Sequence, residues 1–444
     1  MVTPVRTLPI VVTGIAGLIG LLAVVNPALG AGGALLIALG TLMLVDIRVG
    51  ICLFAFSAPL LDGVAGIGVS ADKIVGGALA LSWIASLVVR PSLRDEIAAH
   101  APVFLALLGL LGARYTATVL WAEDPGEAQY QLIRLYPNLL IVPIAVSAVN
   151  DAKTLRWLVG AFLLGVLAAA VFGLITGQNN QGRLEGGQLD PNALALWLIM
   201  AAALAYGILA GPVDIGLRAL TVIGLGLGGL AILATGSRGG IIGLAAAFVA
   251  TPLLVRGRHR LAAFVCVLVA AGGGALYGFS FAPEPVRERL TTDVDTGSGR
   301  TSIWKVGVRM IEDKPLGGVG GGNFHISSIH YLFDAGELPE TRYFVEDPVG
   351  AHNTFMQVTA ETGLVGGLLF LGLFGSAVFY SLRAARRFAR ARMPEYEVLA
   401  RGVAIAFVGV TVGALSISVE NAKPWWLLIS LGPIVHKLAR EHAP

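Results

Sequence analysis

Long apolar runs alternate with short polar breaks along almost the whole chain. Apolar segments stand near 8–29, 32–46, 50–61, 74–89, 102–120, 132–149, 155–176, 190–210, 217–235, 240–255 and 261–281. After a long polar stretch come 357–382, 398–418 and 425–438. A helix crosses a bilayer with about 20 predominantly apolar residues. By that measure 32–46 and 50–61 are short and the others suffice. The pattern predicts an all-α polytopic membrane protein of about 12 (12–14) transmembrane helices. A transmembrane β-barrel would alternate with a period of two in segments of about ten residues, and no such alternation occurs. The first apolar run is followed by many others and reads as a span, not as a cleaved leader.

Composition strengthens this reading. Of 444 residues, 56% are hydrophobic and 13% charged, with a mean hydropathy of +0.78. A soluble domain carries about 25% charged residues. Cys52 and Cys266 both lie in apolar runs and read as buried thiols. The net charge of +3 says less than its distribution. Basic clusters RPSLR (90–94), DAKTLR (151–156), RGRHR (256–260) and RAARRFARAR (383–392) fall on one side when the N-terminus is placed in the cytoplasm and the spans alternate. The polar stretch 282–351 then faces the opposite side, the periplasm of a Gram-negative cell. Three parts of one integrated membrane domain are expected: an N-terminal bundle (1–281), a periplasmic loop (282–351) and C-terminal helices (352–444). Within the loop, TSIWKVGVRMIED places Ile303, Trp304, Val308 and Ile311 near one helical face. Ser298 and Thr301 offer capping hydroxyls before it, and Lys314-Pro315 with the glycines beyond ends it. A short amphipathic helix is expected there, on the membrane interface or on the bundle.

Polar residues at membrane-facing helix ends are the candidate chemistry. In GAHNTFMQVTAETGLVGGLLFL (350–371), His352 and Asn353 stand at the mouth of an apolar run, with Gln357 and Glu361 one and two turns in, on one face. His352 suits a general base, because its ordinary pKa lies near neutrality. The plainer reading is a helix-end histidine. Thr359, Gly363 and Gly367 form a small-residue row that would admit a neighbouring helix. In TGSRGG (235–240), Arg238 sits in a tight glycine turn before a new helix. Guanidinium and free N–H groups together suit an anion there; the alternative is an arginine snorkelling to lipid headgroups. Arg183 precedes the span opened by Asp190-Pro191-Asn192, where Asp190 reads first as a cap. Arg300 begins the interfacial helix, or is an ordinary surface charge. Asp293 and Asp295 form a DxD pair of the kind that holds a divalent cation against a substrate phosphate, a weak pattern. No P-loop, HExxH, CxxC pair or nucleotide fingerprint is present; metal, cofactor and nucleic acid are not expected.

Taken together, TGSRGG (235–240), GRTSIW (299–304), PLGGVGGGNF (315–324) and HNTFMQVTAETGLVG (352–366), with GRLEGGQLDPNALA (182–195), resemble the O-antigen ligase and polymerase superfamily of bacterial envelopes. The resemblance implies a GT-C-like, metal-independent, inverting glycosyltransferase of the inner membrane with a periplasmic active site. Its donor would be an undecaprenyl-diphosphate-linked O-antigen. In a ligase, the acceptor would be lipid A–core and the product a complete lipopolysaccharide. It implies Arg183, Arg238 and Arg300 as diphosphate contacts and His352 as the general base, with Asn353 and Gln357 orienting the acceptor or the histidine. Membrane lipids are the remaining expected partners. A polymerase acting on an undecaprenyl-linked acceptor stays open, as do a transporter or flippase and a scaffold of an envelope-assembly complex.

Overall fold

Several helices begin where the sequence supplies an acidic cap followed by proline. Asp124 Oδ1 accepts from the N–H groups of Gly126 and Glu127 ahead of Pro125, and Asp190 Oδ1 accepts from Asn192 and Ala193 around Pro191. Proline at the first helical position costs nothing, since its missing N–H would have no helical partner. The computed structural model describes residues 38, 40–43, 46–60, 71–89, 101–176, 179–180, 183–186, 189–211, 215–255, 280, 300–332 and 350–443. In chain order they form α1 (Ile47–Ser57), α2 (Ala71–Val89), α3 (Pro102–Thr118), α4 (Pro125–Ala148) and α5 (Ala152–Thr176). A two-strand hairpin follows, β1 (Asn179–Asn180) with β2 (Arg183–Leu184), then α6 (Pro191–Leu209), α7 (Ile215–Ala234) and α8 (Arg238–Leu254). After these come α9 (Arg300–Asp313), α10 (Phe324–Ser327), α11 (Thr354–Arg390), α12 (Pro394–Ala414) and α13 (Lys423–His442).

The fold is that of an all-α multi-pass membrane protein. Among the described residues, α4, α5, α6, α11 and α12 are long and apolar enough to cross a membrane, and α1, α3 and the apolar parts of α2, α7 and α8 are shorter. The expected spans 8–29 and 261–281, and most of 32–46, lie outside the described residues. Expected boundaries shift by a few residues, and three of the shifts are set by local signals. Span 50–61 begins at Ile47, where Asp46 caps it, and ends at Ser57. Span 132–149 begins at Pro125, because the Asp124 cap outweighs the polar first turns. Span 357–382 runs from Thr354 to Arg390, so most of the basic cluster forms its last turns.

Helix α12 packs between α6, α8 and α11. The approach to α8 is close enough that a Cβ on Gly243 would stand 2.8 Å from the Gly409 carbonyl oxygen, so only hydrogen fits at that crossing. Trp425 of α13 stacks on Phe370 and Phe374 of α11, with Phe355 edge-on. At the end of the bundle carrying the basic cluster, Arg156 pairs with Glu395 at 3.1 Å. Buried Lys437 donates to the Val146 carbonyl at 3.0 Å, close to the C-terminus of α4, where a cation is favoured.

The opposite end holds a second, smaller core. Ile303, Val306 and Met310 of α9 pack with Val319, Phe324, Leu332, Ala351 and Ala360. The amphipathic helix therefore lies on the bundle. Its buried face is Ile303, Val306, Gly307 and Met310, while Val308 of the expected face is exposed. The two sets are adjacent stripes at the same period, and Met356 against Gly307 selects the one that docks.

Gly363 does not serve as a smooth packing surface. It breaks α11 with φ 70° and ψ 178°. The carbonyls freed by this break are taken by the glycine-rich loop: Val319 N donates to Ala360 O and Gly320 N to Glu361 O, both at 2.9 Å, and Leu364 N donates back to Pro315 O at 2.7 Å. Arg114 Nε donates to Thr362 O at 2.9 Å. The glycines of PLGGVGGGNF are thus a clasp around a helix break. Asn323 fastens its far side, donating to Asp124 O at 3.1 Å and accepting from Asp124 N at 2.7 Å.

Candidate active site

Four segments distant in sequence meet at the end of the bundle away from the basic cluster. Arg183, on β2, is buried. Its Nε donates to Thr235 O at 2.7 Å and one terminal nitrogen to Asn192 Oδ1 at 3.0 Å. Ser237 donates to the same Asn192 oxygen at 2.9 Å, and its hydroxyl caps α8 by accepting from Gly240 N at 3.1 Å. One asparagine therefore ties the β2 segment, the start of α6 and the TGSRGG turn together. The turn itself needs glycine. Gly236 has φ 57°, and a Cβ on Gly239 would collide with Ser416 Oγ at 1.7 Å. Arg238 emerges from this turn as the first residue of α8, half-buried.

Arg300 is the first residue of α9 and also half-buried. His352 lies two residues before α11, with φ 47°. Burial, and then the Arg300 guanidinium, hold its imidazole below the usual histidine range, while Asp190 pulls the other way. His352 is therefore neutral near pH 7 and can accept a proton. Its electrostatic neighbours place the start of α6 and the start of α9 beside it. Arg183, Arg238, Arg300 and His352 thus gather at one end of the bundle, and Asp190 is the cap that the sequence indicates.

Asn353 and Gln357 are engaged with backbone. Asn353 Oδ1 caps α11, accepting from Phe355 N and Met356 N at 3.1 Å each. Gln357 Oε1 accepts from Ala351 N at 2.7 Å, and its Nε2 donates to Glu361 Oε1 at 2.5 Å. Asn353 thus fixes the start of the helix, and Gln357 fixes the residue before His352. Asp293, Asp295 and Ser298 lie outside the described residues. Among the described residues, no three His, Cys, Asp or Glu side chains gather as metal ligands.

Three contributors were not singled out from sequence. Ser237 and Asn192 look like ordinary turn and first-turn residues until the turn and α6 are docked. Glu420, in the turn between α12 and α13, is buried near Glu361 and Tyr115. No periodic pattern links a turn residue to two helices elsewhere in the chain.

An apolar bundle with a recessed histidine, buried or half-buried arginines and glycine-built turns at one end defines a multi-pass membrane protein with a polar site at its surface. Residues 223–371 match the family model described as O-antigen ligase. The chain is 28% identical over 320 residues to an O-antigen ligase of Pseudomonas aeruginosa, covering 68% of this chain and 70% of the relative. It is also 31% identical over 115 residues to the exopolysaccharide production protein ExoQ of Rhizobium meliloti, covering 26% of this chain and 25% of the relative. The chain thus carries an O-antigen ligase family match over residues 223–371, where most of its motifs lie, and resembles an O-antigen ligase over two thirds of its length.

Proposed function

We propose that the protein is an O-antigen ligase, a metal-independent GT-C-type glycosyltransferase of the bacterial inner membrane with its site facing the periplasm. It moves a glycan from undecaprenyl diphosphate to a hydroxyl of lipid A–core. His352 takes the proton of the acceptor hydroxyl. The acceptor oxygen attacks the anomeric carbon, the bond to the diphosphate breaks, and undecaprenyl diphosphate leaves with the electron pair. A single displacement inverts that carbon. Arg238 and Arg300 stabilise the charge developing on the leaving group, work that a divalent cation does in other transferases. Arg183 braces the Arg238 turn through Thr235 O and the start of α6 through Asn192, and adds its charge to the diphosphate site.

The observation that carries this reading is the neutral, recessed His352 with Arg300 beside it, next to the α6–α8 junction that presents Arg238. A base and cations in one place suit attack by a hydroxyl on a phosphate-activated sugar. The test is reconstitution of purified wild type and His352→Ala with undecaprenyl-diphosphate glycan and lipid A–core, in EDTA. Transfer to lipid A–core by the wild type alone is expected. Full activity of His352→Ala removes the mechanism, and EDTA-sensitive transfer points to Asp293 and Asp295. A second reading is a polymerase, and the partial similarity to an exopolysaccharide production protein is compatible with it. Elongation of undecaprenyl-linked glycan without transfer to lipid A–core would select it.

A further inference from the structure

Ala351, the residue before His352, is held from both sides. Its N–H donates to Gln357 Oε1 at 2.7 Å, and its carbonyl accepts from Trp304 Nε1 at 3.2 Å. His352 then takes φ 47°, in the left-handed region that non-glycine residues seldom adopt. Such a conformation persists where neighbouring structure over-determines it. The Gln357 amide is the nearer half of that restraint. Its Oε1 also accepts from Ser418 Oγ at 3.3 Å, and its Nε2 donates to Glu361 Oε1 at 2.5 Å.

The bond to Glu361 decides which way the amide faces. With Nε2 committed to a carboxyl oxygen, Oε1 is the atom left for Ala351 N. Reversed, the amide would set donor against donor. Glu361 is itself 1% exposed, and its Oε2 has no hydrogen-bond partner. Tyr115 of α3, Glu420 of the α12–α13 turn and the N–H groups of Gly322 and Phe324 surround it. It is thus enclosed by four elements other than its own turn of α11. We propose that Glu361 is a positioning residue for His352, acting through the Gln357 amide on the backbone at Ala351. The inference rests on His352 being the base.

The test uses the full chain, reconstituted with undecaprenyl-diphosphate glycan and lipid A–core. The variants are Glu361→Leu, Glu361→Gln, Gln357→Met and His352→Ala. Glu361→Leu releases the amide, and a base misplaced by about 1 Å costs on the order of 10²-fold. The expected result is a fall of that order in kcat with KM little changed, because the arginines that hold the donor are untouched. The acid limb of kcat/KM should move up toward the ordinary histidine value as His352 leaves its buried place between Arg300 and Asp190. Gln357→Met should show the same loss and the same limb shift. The double variant should be no worse than either single one, since both cut one chain of contacts. Glu361→Gln keeps an oxygen for Gln357 Nε2 and should restore most of the turnover.

Loss of packing alone would lower the yield of folded protein and leave the limb where it was. An unshifted limb with unchanged kcat in Glu361→Leu and Gln357→Met overturns the proposal. So does a Glu361→Gln enzyme as slow as Glu361→Leu. The two readings separate through His352→Ala: an inactive His352→Ala beside unaffected Glu361 variants sinks the positioning role alone, while an active one sinks the base itself.

Discussion

Replacing Gly363 by alanine tests whether the clasp around the break in α11 is built as described. The residue sits at φ 70° and ψ 178°, in a region essentially reserved for glycine, and forcing another residue there costs about 1–3 kcal/mol. The added Cβ would stand 2.3 Å from the Leu316 carbonyl oxygen and 3.0 Å from that of Pro315. These are backbone atoms with no side-chain freedom to yield, and overpacking of this kind adds about 1–3 kcal/mol. The helix has one escape, which is to straighten. It then reclaims the carbonyls of Ala360 and Glu361 and strands Val319 N and Gly320 N, at about 1 kcal/mol for each bond lost. Gly318 shares the geometry from the other side, with φ 69° and a Cβ position 2.4 Å from Glu361 O. Keeping the bend therefore costs about 2–6 kcal/mol in total, and straightening about 2 kcal/mol.

The assay is thermal unfolding of the purified protein in detergent, with Gly375→Ala as control. Gly375 lies in the same helix with nothing within 4 Å of its Cβ position. Alanine there should gain about 0.5–1 kcal/mol from helix propensity. Gly363→Ala should melt several degrees below wild type and Gly375→Ala at or slightly above it. Gly363→Ala melting together with Gly375→Ala would refute both the break and the clasp.

Three further outcomes follow from the same geometry. Because burial and Arg300 hold the His352 imidazole below its usual range, it stays in the proton-accepting form to lower pH than an exposed histidine. The acid limb of kcat/KM should therefore lie below about 6.5, and a limb above that value contradicts a recessed base. Arg238→Ala should reduce transfer on the order of 10²–10³-fold in protein that still reaches the membrane, measured as turnover per folded protein. Burial pushes the Glu420 carboxyl up to about 7, with its own backbone N–H and Arg134 pulling back. A raised carboxyl binds its proton more tightly folded than unfolded. Its stabilisation is complete below about 4.3 and lost as pH rises through about 7. The wild-type melting midpoint should thus fall between pH 5 and pH 8 more than that of Glu420→Gln, and equal slopes would count against a buried carboxyl.

Much of this architecture is legible in the sequence, because membrane helices announce themselves by length and apolarity. The Asp190 cap, the helix before Lys314-Pro315 and the shared face of Gln357 and Glu361 are local patterns, and each is found where its pattern puts it. What escapes is whatever depends on docking. The choice between two adjacent stripes of α9 is made by Met356, and no property of the α9 segment itself encodes it. The row Thr359–Gly363–Gly367 reads as packing because glycine at helical spacing is ambiguous. Only the loop that wraps it shows that Gly363 is there for its φ. The glycines of PLGGVGGGNF similarly read only as a helix stop, yet they make close contacts with Glu361, Gly363, Ala122 and Tyr115.

The site is assembled from helix beginnings. Arg238 opens α8, Arg300 opens α9, Asp190 caps α6, and Asn353 caps α11 one residue after His352. Each start carries the positive end of a helix dipole, and gathering four of them in one place suits an anionic leaving group. The caps, however, occupy the nearest N–H groups, and Asp190 is a resident negative charge. On the proposed reading the guanidinium groups do most of the work on a diphosphate, with Arg300 also depressing His352. Its removal should act twice, weakening the hold on the leaving group and raising the proton affinity of the base. A base that protonates more easily is lost first at low pH. Arg300→Ala should therefore lose more activity relative to wild type at pH 6 than at pH 8, where both imidazoles are neutral. A defect of equal size at the two pH values would confine Arg300 to the leaving group and separate it from the histidine it faces.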